Sequence, residues 1–224
     1  MHTTNPDTRL LLFTKAPRPG MVKTRLVPLL GEAGAAALHA RLTEHALAMA
    51  RAAAIGPVEL HCAPDCDDPF LRRCADGYGA LLVPQAQGDL GARMGIAFQQ
   101  ALARSRYVIL IGTDCPGLTA NHLRAARIAL ATGADAVFIP TEDGGYALVG
   151  LAGHDGRVFT EIAWGENCVM NQTRERLSEL GWRWRELETL WDIDRPEDYE
   201  RLLKLKLLDR VPAPYLDTAA ETGS

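Results

Sequence analysis

Short apolar runs alternate along the chain with longer stretches in which apolar residues recur every three to four positions. Apolar runs of about six residues predict buried strands, and the longer periodic stretches predict helices. The strands are predicted at residues 9–14, 58–63, 80–84, 107–112, 136–140, 146–151 and 182–187. The helices are predicted at residues 33–54, 68–75, 90–103, 119–131, 167–180 and 196–208.

This alternation of strands and helices predicts an α/β fold, a three-layer α/β/α sandwich in which helices cover both faces of a mostly parallel, mixed sheet. The run 107–112 is the most apolar strand candidate, so we expect it near the sheet centre with Val108 and Leu110 buried. No repeat or linker divides the chain, which predicts a single domain over residues 1–208 and a weakly ordered tail over residues 209–224. Ligands of such sheets bind outside the carboxyl ends of the strands.

Composition narrows the class of protein. The net charge of −4 and the pI near 5.9 argue against a general nucleic-acid binder, which is usually basic. Five cysteines without a C-x-x-C pair predict reduced thiols rather than a disulfide framework or a zinc site. The first eight residues do not resemble a signal peptide and no apolar run is long enough to span a membrane, so we expect a cytoplasmic protein without a membrane partner.

The loop after the first strand is dense in positive charge. Lys15, Arg18, Lys23 and Arg25 follow one another within eleven positions. Because such cations repel one another unless an anion joins them, a di- or triphosphate is the expected partner, and we take Lys15, Lys23, Thr24 and Arg25 as nucleotide-binding candidates. The alternative is a solvated basic loop. A Walker sequence is absent, so a P-loop ATPase is not predicted.

Two acidic segments offer metal ligands. Asp114 ends the most apolar strand, where a carboxylate faces the ligand crevice and suits Mg²⁺ or Mn²⁺; it is also a catalytic candidate. The alternative is a turn aspartate that bonds its own backbone. Asp192 and Asp194 alternate before the last helix and share one face of an extended segment, whereas Glu197 and Asp198 suit the first turn of that helix as capping charges.

Two glycine-containing loops are further candidates. In the loop 141–145, Asp143 is a general-base candidate, and Gly144 and Gly145 would let the backbone approach a ligand closely. The alternative is a plain hairpin turn, which favours the same residues. In the other loop, Gly88, Asp89 and Arg93 are candidate substrate contacts, with Asp89 equally suited to be a helix N-cap. The tryptophans are interpreted as packing residues, but Trp164, beside a glycine and a glutamate, could line an acceptor pocket.

Five motifs in order carry a family resemblance: KAPxxGxxKTRL, GDLGxRM, GTDCP, EDGGY and DIDxPED, between residues 15 and 198. Together they resemble the DUF2064 family of predicted glycosyltransferases, which includes the arsenosugar-biosynthesis and radical-SAM/selenodomain-associated transferases. The resemblance covers residues 9–207 and implies a GT-A, nucleotide-diphospho-sugar transferase fold. More distantly the chain is similar to phospholactate and molybdenum-cofactor guanylyltransferases.

The resemblance also implies roles for particular residues. Lys15, Lys23 and Arg25 match the phosphate-contacting loop, Asp114 matches the metal-binding aspartate of the fold, and Asp192 or Asp194 matches the second position beside the metal.

Three functions remain open at the level of sequence. The first is a metal-dependent glycosyltransferase that uses a nucleotide-sugar donor and a small-molecule acceptor. The second is a nucleotidylyltransferase that releases pyrophosphate from an NTP, a reaction that the cationic loop suits at least as well. The third is a non-catalytic nucleotide-binding protein.

Overall fold

The computed structural model describes residues 6–208, and in them every predicted strand and helix is found in order. The strands are β1 (Thr8–Lys15), β2 (Val58–Ala63), β3 (Leu81–Pro84), β4 (Tyr107–Ile111), β5 (Ala136–Pro140), β6 (Tyr146–Leu151) and β7 (Trp184–Glu186). The helices are α1 (Val27–Ala53), α2 (Pro69–Tyr78), α3 (Leu90–Leu102), α4 (Ala120–Ala131), α5 (Val169–Glu179) and α6 (Pro196–Leu205). Two short 3-10 helices lie at Thr24–Leu26 and Gly156–Phe159.

The strands form one mixed sheet in the order β3-β2-β1-β4-β6-β5-β7. All neighbouring pairs are parallel except those of β6, which runs antiparallel to both β4 and β5. Strand β4 lies at the centre, with Val108 fully buried and Leu110 5 % exposed, as predicted. The loop 141–145 therefore joins β5 and β6 as a hairpin, and the start of β6 lies at the edge where β4 and β5 end.

Helices cover both faces of this sheet, which confirms the three-layer sandwich. Along β1, Leu10 and Leu12 pack into the layer formed by α1, α2 and α4, whereas Leu11 and Phe13 pack against α3 and α5. Strands buried on both faces explain the continuous apolar runs in the sequence. A third cluster packs α6 against the first half of α1, close to the carboxyl ends of the strands.

The first helix begins earlier than predicted. The helix that starts at Val27 is interrupted at Gly31, where the backbone φ of 69° is non-helical. Glycine adopts this conformation more readily than other residues. Regular helix follows this kink, close to the predicted start at residue 33. All five cysteines are free thiols. Within residues 6–208, no helix combines the length and apolarity needed to cross a membrane. The predicted tail 209–224 lies outside the described residues, and the single-domain interpretation stays a prediction.

A buried ionic cluster lies under α3. The Glu59 side chain on β2 is 1 % exposed and lies 2.7 Å from Nη1 of Arg9, 3.0 Å from Nη2 of Arg104 and 3.2 Å from Nε2 of His61. Burial opposes ionisation of Glu59, but the hydrogen bond from His61 and the charges of both arginines hold its pKa below the usual 4.5. The carboxylate is therefore charged in the folded protein at neutral pH.

Removal of this carboxylate should be costly. Glu59→Ala leaves Arg9, whose side chain is 11 % exposed, without its ionic partner, and we expect the free energy of unfolding in urea to fall by about 3 kcal/mol. Glu161→Ala is the control, because Glu161 is 81 % exposed and its ion pair with Arg176 should contribute under about 1 kcal/mol. Equal losses of unfolding free energy in the two variants would contradict the stabilising role of the buried Glu59 carboxylate.

The same cluster gives a pH dependence. Because the folded pKa of Glu59 lies below its unfolded value, its stabilising contribution is complete above pH 4.5 and is lost as the pH falls through the folded pKa. We therefore expect the difference in unfolding free energy between wild type and Glu59→Gln to shrink on acidification below pH 4.5. A difference that is constant from pH 7 to pH 3 would contradict this account.

Candidate functional site

A cleft of about 660 Å³ opens at the edge of the sheet where β1, β4 and β5 end and β6 begins. Its walls come from the loops after β1, β3, β4 and β7, from the β5–β6 hairpin, and from the segment before α5. Most of the predicted site residues line this cleft: Lys15, Lys23, Thr24, Arg25, Arg93, Asp114, Asp143, Gly145, Asp192 and Asp194.

Three predicted residues lie outside the cleft lining and have local backbone roles. Asp89 is the N-cap of α3, and its Oδ1 accepts a hydrogen bond from the backbone N–H of Ala92 at 2.8 Å. Gly88 precedes it with a φ of 111°. A Cβ at Gly144 would lie 2.0 Å from the carbonyl oxygen of Asn167, so glycine lets the hairpin touch the segment before α5. Their predicted contact with substrate stays a prediction.

The loop after β7 crosses the edge of the sheet towards β4. The backbone N–H of Leu190 donates to the carbonyl of Pro140 at 2.9 Å, and that of Ile193 donates to the carbonyl of Asp114 at 2.8 Å. These bonds carry the loop across the end of β5 and place Asp192 in the same cleft as Asp114. The two acidic segments of the sequence thus meet, although about eighty residues separate them.

Lys23 joins three of these loops. Its side chain is 5 % exposed; Nζ lies 2.7 Å from Oδ1 of Asp114 and also donates to the carbonyl of Ile193. The ammonium thus already has a carboxylate and a carbonyl as partners, and the role of Lys23 as a phosphate ligand stays a prediction. Arg25 likewise forms an ion pair with Asp194, while Lys15 is an exposed cation of the cleft wall.

The charges of the two acidic loops are set by these contacts. Partial desolvation in the cleft opposes ionisation of Asp114, whose side chain is 54 % exposed, but the ammonium of Lys23 holds its pKa below the usual value, so Asp114 is an anion at neutral pH. Burial and repulsion by Asp143 and Asp114 raise the pKa of Asp192 to about 6. The cleft therefore holds several carboxylates, and its cationic side chains neutralise only some of them.

The donor set suits a shared rather than a self-sufficient metal site. In the range 6–208, no three histidine, cysteine or acidic side chains lie close enough to hold a metal ion by themselves. Asp114 lies close enough to Asp192 to raise the pKa of Asp192 by repulsion, so these two carboxylates are the better pair of oxygen ligands. Mg²⁺ and Mn²⁺ are hard ions that accept few protein carboxylates and complete their shell with water and substrate phosphate.

Gln85 is a cleft residue that sequence reasoning missed. Its Nε2 donates to the carbonyls of Thr14 at 3.1 Å and His61 at 2.9 Å, at the ends of β1 and β2. Its Oε1 accepts a hydrogen bond from Nη1 of Arg93 at 2.9 Å. Gln85 therefore fixes the guanidinium of Arg93 in the cleft. A single glutamine after a strand does not indicate such a role in the sequence.

His39 is a further cleft residue that the sequence-based predictions do not include. It is 6 % exposed on α1, and its Nε2 lies 3.0 Å from the carbonyl oxygen of Lys15. Burial lowers the pKa of His39, which favours a neutral ring that donates to this carbonyl. His39 thus anchors the start of the basic loop. The position of this histidine among the alanines and leucines of α1 is the sequence feature that indicates a buried polar residue.

Trp164 is held in the wall of the cleft by a glycine of α3. A Cβ at Gly91 would lie 2.6 Å from Nε1 of Trp164 and 2.5 Å from the carbonyl oxygen of Phe159. The indole is also edge-on to Tyr146, with ring centroids 6.3 Å apart. The GDLGxRM motif therefore supplies both a helix start and the space that the indole occupies.

Gly91→Ala should displace Trp164. We expect the added methyl group to lower the free energy of unfolding by about 1–3 kcal/mol and to change the tryptophan emission spectrum. Gly95→Ala on the same helix is the control, because its Cβ would make only a 3.8 Å contact with Phe159 and alanine favours the helix. Gly91→Ala as stable as Gly95→Ala, with unchanged emission, would contradict this packing.

Comparison with known proteins identifies the family. The family model of DUF2064, described as an uncharacterized protein conserved in bacteria, matches residues 46–166, which is more than half of the chain. The chain belongs to the DUF2064 family. No curated protein matches it.

A solved structure supports this DUF2064 assignment. A protein from Desulfovibrio desulfuricans G20, classed provisionally as a nucleotide-diphospho-sugar transferase, is 30 % identical; the match covers 84 % of this chain and 83 % of that one, with a TM-score of 0.77. The sequence-based prediction of family and fold is thereby confirmed.

More distant structures share the fold alone. A 4-diphosphocytidyl-2C-methyl-D-erythritol synthase from Anaerococcus prevotii DSM 20548 is 10 % identical over 92 % of this chain and 99 % of its own, with a TM-score of 0.59. The glucosyl-3-phosphoglycerate synthase of Mycobacterium tuberculosis, solved with Mn²⁺, UDP and glucosyl-3-phosphoglycerate, is 10 % identical over 94 % and 80 %, with a TM-score of 0.54. The same fold is found in a protein described as a nucleotidyl transferase, which is 13 % identical to this chain with a TM-score of 0.57.

Proposed function

We propose that this DUF2064 protein is a metal-dependent glycosyltransferase that moves a sugar from a nucleoside diphosphate to a small-molecule acceptor. The observation that carries the proposal is the composition of the cleft, in which Asp114 and Asp192 face the same space as Lys15, Arg25 and Arg93. Carboxylates and cations in one cleft suit a substrate that combines a divalent cation with a diphosphate. The class given to the Desulfovibrio desulfuricans relative agrees with this proposal.

Asp114 and Asp192 are the residues that would hold the cation. When bound, Mg²⁺ or Mn²⁺ would supply Lewis-acid stabilisation of the charge that develops on the departing nucleoside diphosphate. Lys15, Arg25 and Arg93 supply further positive charge for the phosphate oxygens. Lys23 positions Asp114 and the loop after β7, through its contacts with Oδ1 of Asp114 and the carbonyl of Ile193.

The transfer needs no reactant other than the nucleotide-sugar and the acceptor. An acceptor hydroxyl oxygen forms a bond to the anomeric carbon, and the bond from that carbon to the phosphate oxygen breaks. The nucleoside diphosphate leaves with the electron pair, and the hydroxyl proton passes to a carboxylate. Asp143 is the candidate from the sequence, but its Oδ1 already accepts hydrogen bonds from Oγ1 of Thr141 at 2.5 Å and the N–H of Gly145 at 3.0 Å.

Nucleotidylyl transfer is the second candidate. Four cationic side chains line the cleft, Lys15, Lys23, Arg25 and Arg93, and this number suits a triphosphate that releases pyrophosphate. The fold is also that of a protein described as a nucleotidyl transferase. In this reaction a phosphate of the acceptor would attack the α-phosphate of an NTP, so the acceptor itself would be anionic.

Thermal unfolding with nucleotides tests the proposal. We expect nucleoside diphosphates and nucleoside diphosphate sugars, at saturating concentration with Mn²⁺, to raise Tm by roughly 5 °C or more, and by less without Mn²⁺. The reason is that a ligand that binds only the folded state stabilises that state. Stabilisation by NTPs but not by nucleotide-sugars would favour nucleotidylyl transfer. Unchanged Tm with every nucleotide would contradict both reactions.

A further inference from the structure

We infer that residues 164–166 form an acceptor subsite in the cleft, in which the Trp164 ring and the Glu166 carboxylate select a neutral, polyhydroxylated acceptor over a phosphorylated one. The inference rests on the proposed glycosyl transfer and names the class of its second substrate. It is carried by the position of the segment, the way in which Trp164 is fixed, the contacts of Glu166 and the distribution of charge.

The segment lies on the half of the cleft built from β5 and β6. The backbone N–H of Met170 donates to the carbonyl of Gly144 at 2.8 Å, and Gly144 packs directly against the backbone of Asn167. These contacts fix the segment on the β5–β6 hairpin. The basic side chains come instead from the loop after β1 and from Arg93 of α3, whose guanidinium is held by Gln85 beside the ends of β1 and β2. The sheet order places β1 and β2 on the other side of β4.

Trp164 provides a fixed aromatic surface there. It is half-buried and lines the cleft, with Gly91 against its Nε1 and Tyr146 edge-on to the ring. The face of an aromatic ring carries partial negative charge and contacts apolar C–H groups favourably. One face of a sugar ring presents such C–H groups, while its hydroxyls project around the rim. A ring fixed in this way loses little conformational freedom when it binds a ligand.

Glu166 provides an accepting group beside that surface. It is exposed and lines the cleft, and the only polar contact of its carboxylate within residues 6–208 is the Cys168 thiol at 4.0 Å. Ionised carboxylates only accept hydrogen bonds, which matches the hydroxyl donors of a polyol. Asp143, by contrast, already uses one oxygen to hold the hairpin turn. Glu166 is therefore the carboxylate freer to accept the proton of the acceptor hydroxyl.

The charges on this side disfavour an anionic acceptor. Asp143 and Glu166 both line the cleft on the side of the β5–β6 hairpin. A phosphate placed against Trp164 would meet carboxylates rather than the guanidinium of Arg25, which Asp194 holds. Repulsion of this kind selects against the wrong ligand even where its shape would fit.

Ligand-observed saturation-transfer NMR tests the subsite directly. The probes are the methyl glycosides of glucose, mannose and galactose as neutral ligands, and glucose 6-phosphate as the anionic ligand, each with protein, UDP and Mn²⁺. We expect at least one methyl glycoside to bind wild type, with its affinity reduced about tenfold or more in Trp164→Ala and in Glu166→Gln. UDP affinity, measured by calorimetry, should change by less than about twofold in both variants.

Two further variants sharpen the test. Glu161→Gln removes an exposed carboxylate that lies outside the cleft lining, and it should leave binding of the glycoside unchanged. Glu166→Lys reverses the charge of the proposed subsite, and it should strengthen binding of glucose 6-phosphate relative to wild type.

The outcomes separate this inference from the proposed function. Failure of wild type to bind UDP and every other nucleoside diphosphate would overturn the proposed function. With UDP bound, the inference is overturned if no methyl glycoside binds, if glycoside binding survives both Trp164→Ala and Glu166→Gln, or if glucose 6-phosphate binds wild type more tightly than every glycoside.

Discussion

Asp114→Asn is expected to abolish the coupling between Mn²⁺ and nucleotide binding and to lower turnover of a nucleotide-sugar by at least about a hundredfold. The substitution preserves the shape of the side chain but removes the charge at the tip of the central strand. In the wild type, Asp114 is ionised because the ammonium of Lys23 outweighs the cost of partial desolvation in the cleft. An amide oxygen is a weaker ligand for a hard cation, so the cation and the diphosphate would no longer bind together.

Calorimetric titration of UDP, with and without Mn²⁺, measures this coupling. Asp194→Asn is the comparison variant, because Asp194 also lines the cleft but pairs with Arg25. We expect Asp194→Asn to retain the dependence of UDP affinity on Mn²⁺. If Asp114→Asn retains it as well, Asp114 is only a turn residue.

Lys23→Met should lower both stability and nucleotide affinity. The variant removes the ammonium that bonds Oδ1 of Asp114 and the carbonyl of Ile193, and this leaves a carboxylate without its cation. We expect the free energy of unfolding to fall by about 2–3 kcal/mol and UDP affinity to fall by about tenfold or more, since the loop after β7 loses its tie to the basic loop. Urea unfolding and calorimetry measure the two effects.

Arg18→Met is the matched control for this prediction. Arg18 lies in the same loop, but its side chain is 47 % exposed and pairs with Asp65 and Asp68 outside the cleft lining. Exposed ion pairs contribute about 0–1 kcal/mol. Equal effects of Lys23→Met and Arg18→Met on UDP affinity would show that the loop acts through its net charge and not through the contacts of Lys23.

The fold was predictable because its information is local. Each strand is a short apolar run, and the burial of β1 and β4 on both faces makes those runs nearly continuous. The reversal of β6 was harder to predict, since the sequence of the loop 141–145 suited both a hairpin and a binding loop. The structure shows a hairpin whose Asp143 and Gly145 also line the cleft. The two interpretations therefore describe the same turn.

The candidate site was predictable in its residues but not in their pairing. Lys15, Arg25, Asp114 and Asp192 follow from charge at the ends of strands. The partnership of Lys23 with Asp114 depends on the path of the loop after β7, which backbone hydrogen bonds to β4 and β5 determine. Such long-range contacts leave no periodic signal in one sequence.

Product analysis tests the central claim most directly. Purified protein is incubated with Mn²⁺, a panel of nucleoside diphosphate sugars and neutral glycosides, and in parallel with NTPs and sugar phosphates. We expect release of a nucleoside diphosphate with formation of a new glycoside in the first mixture, and no pyrophosphate in the second. Release of pyrophosphate from an NTP, with no nucleoside diphosphate released from any nucleotide-sugar, would contradict the proposed glycosyl transfer.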